Sequence, residues 1–146
     1  MTRIRYFLAP AILLFAAGTQ ADAEKAVDYR QGVMNVYAWN LTTMGDMVKG
    51  KTDFDAAVFA GHAKDLAAAA QLELMSAFPE DSITDESDAS ETIWLDWDKF
   101  QNKHKSLREQ SAKLADVTAA GDEAAMKEQF GAAAKTCKGC HDDFKN

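Results

Sequence analysis

The segment of this sequence with the most specific chemistry lies near its C-terminus and reads Cys137-Lys138-Gly139-Cys140-His141. Two cysteines separated by two residues and followed directly by a histidine form the attachment signature of a c-type haem. In such a site the thiols add to the two vinyl groups of the porphyrin, and the imidazole becomes an axial ligand of the iron. At about 100° per residue, a helix directs all three side chains from one face. The segment therefore predicts one covalently attached haem c, held by Cys137, Cys140 and His141.

Three other chemistries use the same cysteine spacing. A redox dithiol would be accompanied by alternating strands and helices, and the sequence has no strand pattern. A zinc site needs four ligands, whereas the chain has two cysteines and three histidines, with His62 and His104 far from the motif. A disulfide across a two-residue loop would gain little from loop closure. Haem attachment is the preferred interpretation.

Helices must position this motif, because hydrophobic residues recur at helical spacing through most of the chain. Four helices are predicted, at about residues 24–49, 55–77, 91–118 and from 122 to the C-terminal motif. Gly50 suits the end of the first helix, and Asp122 suits the start of the fourth. Thr52 and Asp55 resemble a capping box for the second helix, which Pro79 is expected to end. Short connections between amphipathic helices predict an all-α, antiparallel up-down-up-down four-helix bundle.

Several polar or small residues lie on the apolar stripes of these helices. Arg30 needs a partner if it is buried. A haem propionate or another polar group of the haem pocket is the preferred partner, and the alternative is a side chain that extends to solvent at the end of the bundle. Met34, one turn later, either fills the core or faces the open side of the iron. His104 is interpreted as a packed side chain and not as an iron ligand. Small residues such as Ala63 would allow a close approach of another helix or of a second subunit.

The N-terminus has the three parts of an export signal: a basic start, an apolar run over residues 7–17 and an Ala-Asp-Ala cleavage site at 21–23. The apolar run is too short for a transmembrane helix. We expect residues 1–23 to be removed, or fewer if cleavage occurs at Ala21, and residues 24–146 to form one domain.

Composition narrows the possible partners. The formal charge of the whole chain is −7, and removal of the signal, with two arginines and one aspartate, leaves about −8. Such a domain is not expected to bind nucleic acid or an anionic membrane surface, and no later apolar run could span a bilayer. Neither a carboxylate pair nor a nucleophile with an adjacent base is evident, so we do not predict an enzyme.

Short stretches along the predicted mature chain match one known family. They are Tyr29-Arg30-Gln31-Gly32-Val33-Met34, Val48-Lys49-Gly50, Phe54-Asp55-Ala56-Ala57, Asp88 with Ile93-Trp94, Phe130-Gly131 and the C-x-x-C-H segment. Through them the chain resembles the class II cytochromes c, specifically cytochrome c prime. The resemblance implies a periplasmic four-helix bundle with one covalent haem near one end. It also implies a homodimer formed through the first two helices.

The resemblance assigns further site residues. Arg30 and Gln31 would contact the haem periphery, Asp88 would lie where a loop approaches the haem, and Met34 would lie over its distal face. Many members have arginine four residues after the axial histidine. Here that residue is Lys145, which keeps the positive charge and loses the planar fork of arginine.

Three functions follow as expectations. The first is a five-coordinate haem protein that binds nitric oxide or carbon monoxide in an apolar pocket, without a hydrogen-bond donor over the iron. Arg30 favours it, because in the family this arginine accompanies open, high-spin members. The second is a low-spin electron carrier with Met34 as sixth ligand and a protein redox partner. The third is a haem-free helical interaction module in which the two cysteines have no role.

Overall fold

The computed structural model describes residues 17–146. The predicted export signal falls mostly on residues 1–16, which lie outside the described residues, and its cleavage stays a prediction. The helices are α1 (Ala17–Val48), α2 (Ala56–Ala69), α3 (Thr92–Leu95), α4 (Trp97–Thr118) and α5 (Glu123–Phe144), with a 3-10 turn at Met75–Ala77. Within residues 17–146 there is no extended strand. None of the helices described is both long and apolar enough to cross a membrane.

Helices α1, α2, α4 and α5 form the four-helix bundle, so the predicted all-α fold is confirmed. Each long helix packs along the next, and the ring closes least tightly between α5 and α1. Hydrogen bonds join Tyr37 to the Ala69 carbonyl and Asn40 to His62, so α1 and α2 run antiparallel. The gap between α1 and α5 is the part of the bundle where a cofactor could enter.

Local side-chain chemistry defines the helix ends. Gly50, with φ of 69°, follows α1 in the left-handed conformation expected there. The side chain of Asp122 accepts hydrogen bonds from two backbone N–H groups of α5, as predicted. For α2 the predicted capping box is wrong, because Asp55 is itself the N-cap and accepts from the amides of Ala57 and Val58 at 2.9 and 3.0 Å.

Two predicted helices differ from the expectation: the second is shorter, and the third is interrupted. Helix α2 ends at Ala69, well before Pro79, because tight i→i+3 hydrogen bonds of Gln71 and Leu72 turn the chain. This turn brings Leu74 and Phe78 into the core. The predicted third helix is interrupted at Asp96, whose φ and ψ of −121° and 45° are not helical. Tertiary packing overrides local helix propensity in both places.

The buried side of α2 also differs from the prediction. Phe59, Ala63 and Leu66 are fully buried inside the bundle, whereas Ala56 at the start of the predicted alanine stripe is exposed. Ala63 therefore packs within its own subunit and cannot face a second copy.

At the end of the bundle that carries the cysteine motif, Phe100 packs against Phe78 and Phe144, with ring centroids 4.8 and 5.3 Å apart. These three rings tie the 70–91 connection to the last two helices.

Candidate haem-binding site

The attachment motif lies on the last two turns of α5, on the side that faces the gap toward α1. Cys137 and Cys140 are partly buried free thiols that pack against the hydrophobic core. Burial raises the pKa of the Cys137 thiol and raises that of Cys140 to about 11. Both sulfurs are therefore protonated at neutral pH, as expected of thiols held in apolar surroundings.

Two cavities meet at this motif. The first, of about 370 Å³, is here called the loop-side cavity because Ser87, Asp88 and Ala89 of the connecting loop border it. The second, of about 310 Å³, is called the inner cavity and is bordered by Tyr37, Leu41, Leu74, His104 and Cys137, among others. Both cavities share a border made by Met34, Asn35, Phe100, Cys140 and His141.

The shared border fits a covalently attached haem. Cys137 borders the inner cavity and Cys140 borders both, so a porphyrin joined to both sulfurs would extend into the two cavities. The walls are largely aromatic and aliphatic, which suits a flat apolar macrocycle. His141 follows Cys140 directly and borders the same space, where it could reach an iron at the porphyrin centre.

The surroundings of His141 favour the neutral form of its imidazole. The residue is largely exposed, but partial burial of its ring lowers the imidazole pKa, the nearby Lys145 ammonium lowers it further, and Asp142 opposes both. An unprotonated ring nitrogen is the form that coordinates a metal.

Lys103 of α4 also supports the motif, a role that its position in the sequence did not indicate. Its Nζ donates to the Gly139 carbonyl at 2.8 Å and pairs with Asp143 at 2.8 Å. Lys103 and Lys99 together lower the pKa of the Asp143 carboxyl. These contacts fasten the turn between the two cysteines to the neighbouring helix. A lysine in an amphipathic helix carries no sequence signal for this role.

Arg30 is buried, with 4% of its surface exposed, and borders the loop-side cavity. Its Nη1 donates to the Ala77 carbonyl and Ser82 Oγ, both at 3.0 Å, and its Nη2 donates to the Ser82 carbonyl at 2.6 Å and to Ser87 Oγ at 2.8 Å. The guanidinium also lies over the Phe78 ring, 4.9 Å from its centroid. Arg30 therefore fastens the 77–87 connection to α1, and its contact with the haem stays a prediction.

The other predicted peripheral residues gather at the same cavity. Gln31 donates to the Glu86 carbonyl at 2.7 Å, and Asp88 forms an ion pair of 3.1 Å with Lys145. The backbone of this loop also bonds to the end of α5, from the Ser90 amide to the Phe144 carbonyl at 2.9 Å. The loop is held from one side by α1 and from the other by the helix that carries the motif.

Met34 lies on α1, whereas the attachment motif lies on α5, and both border the same two cavities. It is partly buried and borders both cavities. Its neighbours Val33 and Tyr37 are buried, and the Tyr37 hydroxyl donates to the Ala69 carbonyl at 3.3 Å. Met34 thus lies on the wall opposite α5, and its position over the distal face of the haem stays a prediction.

The fold and the site together define a class of protein. A four-helix bundle whose last helix presents C-x-x-C-H to a cleft beside its first helix is a c-type haem protein of the bundle type.

Comparison with known proteins gives the family. The family model described as Cytochrome C' matches residues 25–145. Cytochrome c' of Halomonas halodenitrificans is 37% identical over 131 residues, which cover 86% of this chain and 98% of that protein. The solved cytochrome c prime from Shewanella frigidimarina superposes with a TM-score of 0.81 at 35% identity, over 85% of this chain and 96% of that one. A nitric oxide complex of a mutant cytochrome c prime from Alcaligenes xylosoxidans superposes with a TM-score of 0.76 at 30% identity, over 85% of this chain and 96% of that one.

The chain belongs to the cytochrome c' family. Its cofactor is the covalently bound haem c of that family.

Proposed function

We propose that this protein is a periplasmic monohaem cytochrome with a five-coordinate iron that binds nitric oxide and carbon monoxide and can also exchange electrons with a redox partner protein. The observation that carries the proposal is the position of Met34. Met34 borders the same two cavities as His141 but lies on the opposite helix, and its helix neighbours Val33 and Tyr37 are buried. A nitric oxide complex of a relative with the same fold supports the choice of ligand.

Each side chain has a role in this proposal. Cys137 and Cys140 hold the haem through thioether bonds, and His141 binds the iron on the α5 side. The haem supplies an iron with one open position for a small gas. Met34 and Phe100 exclude water from that position, and Arg30 and Gln31 hold the loop that borders the haem periphery. Asp88 and Lys145, as an ion pair, join this loop to the end of α5. No residue is proposed to be catalytic.

An electron carrier is the second candidate, and the same position of Met34 favours it. If the sulfur bends toward the iron, it becomes a sixth ligand that raises the reduction potential and closes the iron to gases. The crowding of Met34 by Val33 and Tyr37, both buried on the same helix, is the reason to prefer the open form.

Carbon monoxide distinguishes the two functions. We expect the absorption spectrum of the reduced protein to shift when the gas is added. Met34→Ala should then speed binding about tenfold, which corresponds to removing about 1.4 kcal/mol of steric barrier. Met47→Ala is a suitable control, because Met47 is another methionine of α1 that packs in the core but borders neither cavity. A low-spin ferric spectrum with a sulfur-to-iron charge-transfer band and no response to carbon monoxide would establish the electron carrier instead.

Export to the periplasm is part of the proposal. The predicted signal at residues 1–23 supports it, because haem c of this family is attached outside the cytoplasm.

A homodimer through the first two helices is also proposed. Large apolar side chains are exposed on these helices, notably Trp39, Val36 and Val58, with 70%, 44% and 45% of their surfaces accessible. Asn40 and His62 link α1 to α2 beside them through a hydrogen bond of 2.8 Å. Exposed aromatic and aliphatic groups of this size are typical of protein interfaces.

Trp39→Glu should convert the dimer to a monomer. An exposed tryptophan at an interface centre commonly contributes 2 kcal/mol or more, so the dissociation constant should rise about thirtyfold or more. Leu95→Glu provides the control, because Leu95 is 83% exposed but lies on α3, away from the first two helices. Sedimentation at micromolar concentration measures the change. A wild-type monomer, or an equal effect of both variants, would contradict the proposed interface.

A further inference from the structure

One polar atom inside the bundle has no partner. Among the described residues, His104 Nε2 is the only buried side-chain nitrogen or oxygen that forms no hydrogen bond. Leaving such a group unpaired costs about 1–3 kcal/mol, so buried polar atoms usually have a partner. The exception needs a physical reason.

The position of His104 indicates where a partner could come from. It lies on α4 and borders the inner cavity together with Met34 and His141. Burial lowers the pKa of its imidazole, Arg108 lowers it further, and Glu73 opposes both. The ring is therefore neutral near pH 7. In the tautomer that carries the proton on Nε2 it can donate one hydrogen bond.

Three other polar groups that border the inner cavity already have partners. The Tyr37 hydroxyl donates to the Ala69 carbonyl, Thr136 Oγ1 donates to the Ala133 carbonyl at 2.7 Å, and Lys103 Nζ is bound to Gly139 and Asp143. A buried water molecule needs two to four polar partners, and among these four groups only His104 has an unused nitrogen. A ligand that is already fixed at its other end would need only this single hydrogen bond.

We propose that His104 is a specificity-determining residue of the inner cavity and donates a hydrogen bond from Nε2 to a diatomic ligand bound at the haem. The proposal rests on the gas-binding function proposed above and adds to it. It departs from the expectation of a pocket without a donor. It also adds a preference for diatomic ligands that accept a hydrogen bond, because donors in the distal pocket decide whether such ligands stay bound.

The test uses the reduced holoprotein with carbon monoxide. A hydrogen bond to the ligand oxygen weakens the C–O bond, so the C–O stretching frequency should be lower in the wild type than in His104→Leu. His104→Gln keeps a donor and should stay close to the wild type. The gas should dissociate about twofold to tenfold faster from His104→Leu, which is the loss expected for one neutral hydrogen bond. His62→Leu is the matched control, since His62 bonds to Asn40 and borders neither cavity.

A second measurement needs no variant. In deuterium oxide the Nε2 proton exchanges, so the C–O frequency of the wild type should shift if that proton contacts the ligand. If the C–O frequency is equal in the wild type and in His104→Leu, the role of His104 is overturned while gas binding stands. If His104→Leu does not fold, the absence of a frequency shift in deuterium oxide overturns that role in the same way. A wild type that binds no carbon monoxide would overturn both the proposed function and this inference.

Discussion

The double variant Cys137→Ala/Cys140→Ala should release all of its haem into acidified organic solvent, whereas the wild type should release none. The reason is chemical: with both sulfurs removed, only coordination by His141 and packing in the two cavities hold the porphyrin. Each single variant should retain one thioether and keep its haem under the same extraction. The absorbance of the organic phase measures the released fraction.

The same double variant without its haem should also be less stable. The loop-side and inner cavities of about 370 and 310 Å³ open to solvent, and without haem their apolar walls lose the porphyrin that would cover them. Exposing this much apolar surface to water costs several kcal/mol. Its melting temperature should therefore fall below that of the wild-type holoprotein, while the single variants stay close to it. Haem that resists extraction from the double variant would show that the attachment site lies elsewhere.

The sequence predicted the features that depend on local spacing. The C-x-x-C-H motif needs only five consecutive residues, and the positions of the four long helices follow from hydrophobic periodicity. Asp122 caps α5 through its own neighbouring amides, which is again a local interaction. For the same reason the core side of α1, with Arg30 and Met34 one turn apart, could be predicted.

Features that depend on distant contacts were missed or misplaced. The early end of α2 and the break at Asp96 arise from packing of the 70–91 connection, which no local pattern encodes. Ala63 was expected at a possible subunit contact, but small residues look alike on every face of an alanine-rich helix, and Ala63 is buried. Lys103 contacts Gly139 from another helix, 36 residues away in the chain.

His104 illustrates a different limit. The sequence places it on an apolar stripe, where a packed imidazole is the ordinary interpretation. Only the structure reveals that its Nε2 is buried beside the inner cavity without a partner. Hydrogen-bond satisfaction depends on all surrounding groups, so it cannot be inferred from spacing within one helix.

Arg30→Met should destabilise the protein by about 2–4 kcal/mol. Arg30 supplies four hydrogen bonds to the 77–87 connection, and its loss leaves buried acceptors at Ala77 and Ser82 without a donor. Unsatisfied buried groups cost about 1–3 kcal/mol each, and part of this cost is offset because a buried charge is also removed. Denaturant unfolding of the holoprotein measures the free energy. Faster amide hydrogen exchange at Ser82 and Ser87 would report loosening of the connection.

Two further substitutions separate the network of Arg30 from the general effect of losing an arginine. Arg108→Met is the matched control: Arg108 is exposed and bonds only to the exposed Gln71 side chain, so its loss should cost less than about 1 kcal/mol. The stability loss of Arg30→Lys should lie between those of Arg30→Met and Arg108→Met. An ammonium keeps the charge but cannot reproduce the planar fork that reaches Ala77, Ser82 and Ser87 together. Equal stability of Arg30→Met and Arg108→Met would mean that other contacts hold the connection, among them the hydrogen bond from Gln31 to Glu86, and Arg30 would then be available to the haem periphery, as the sequence first suggested.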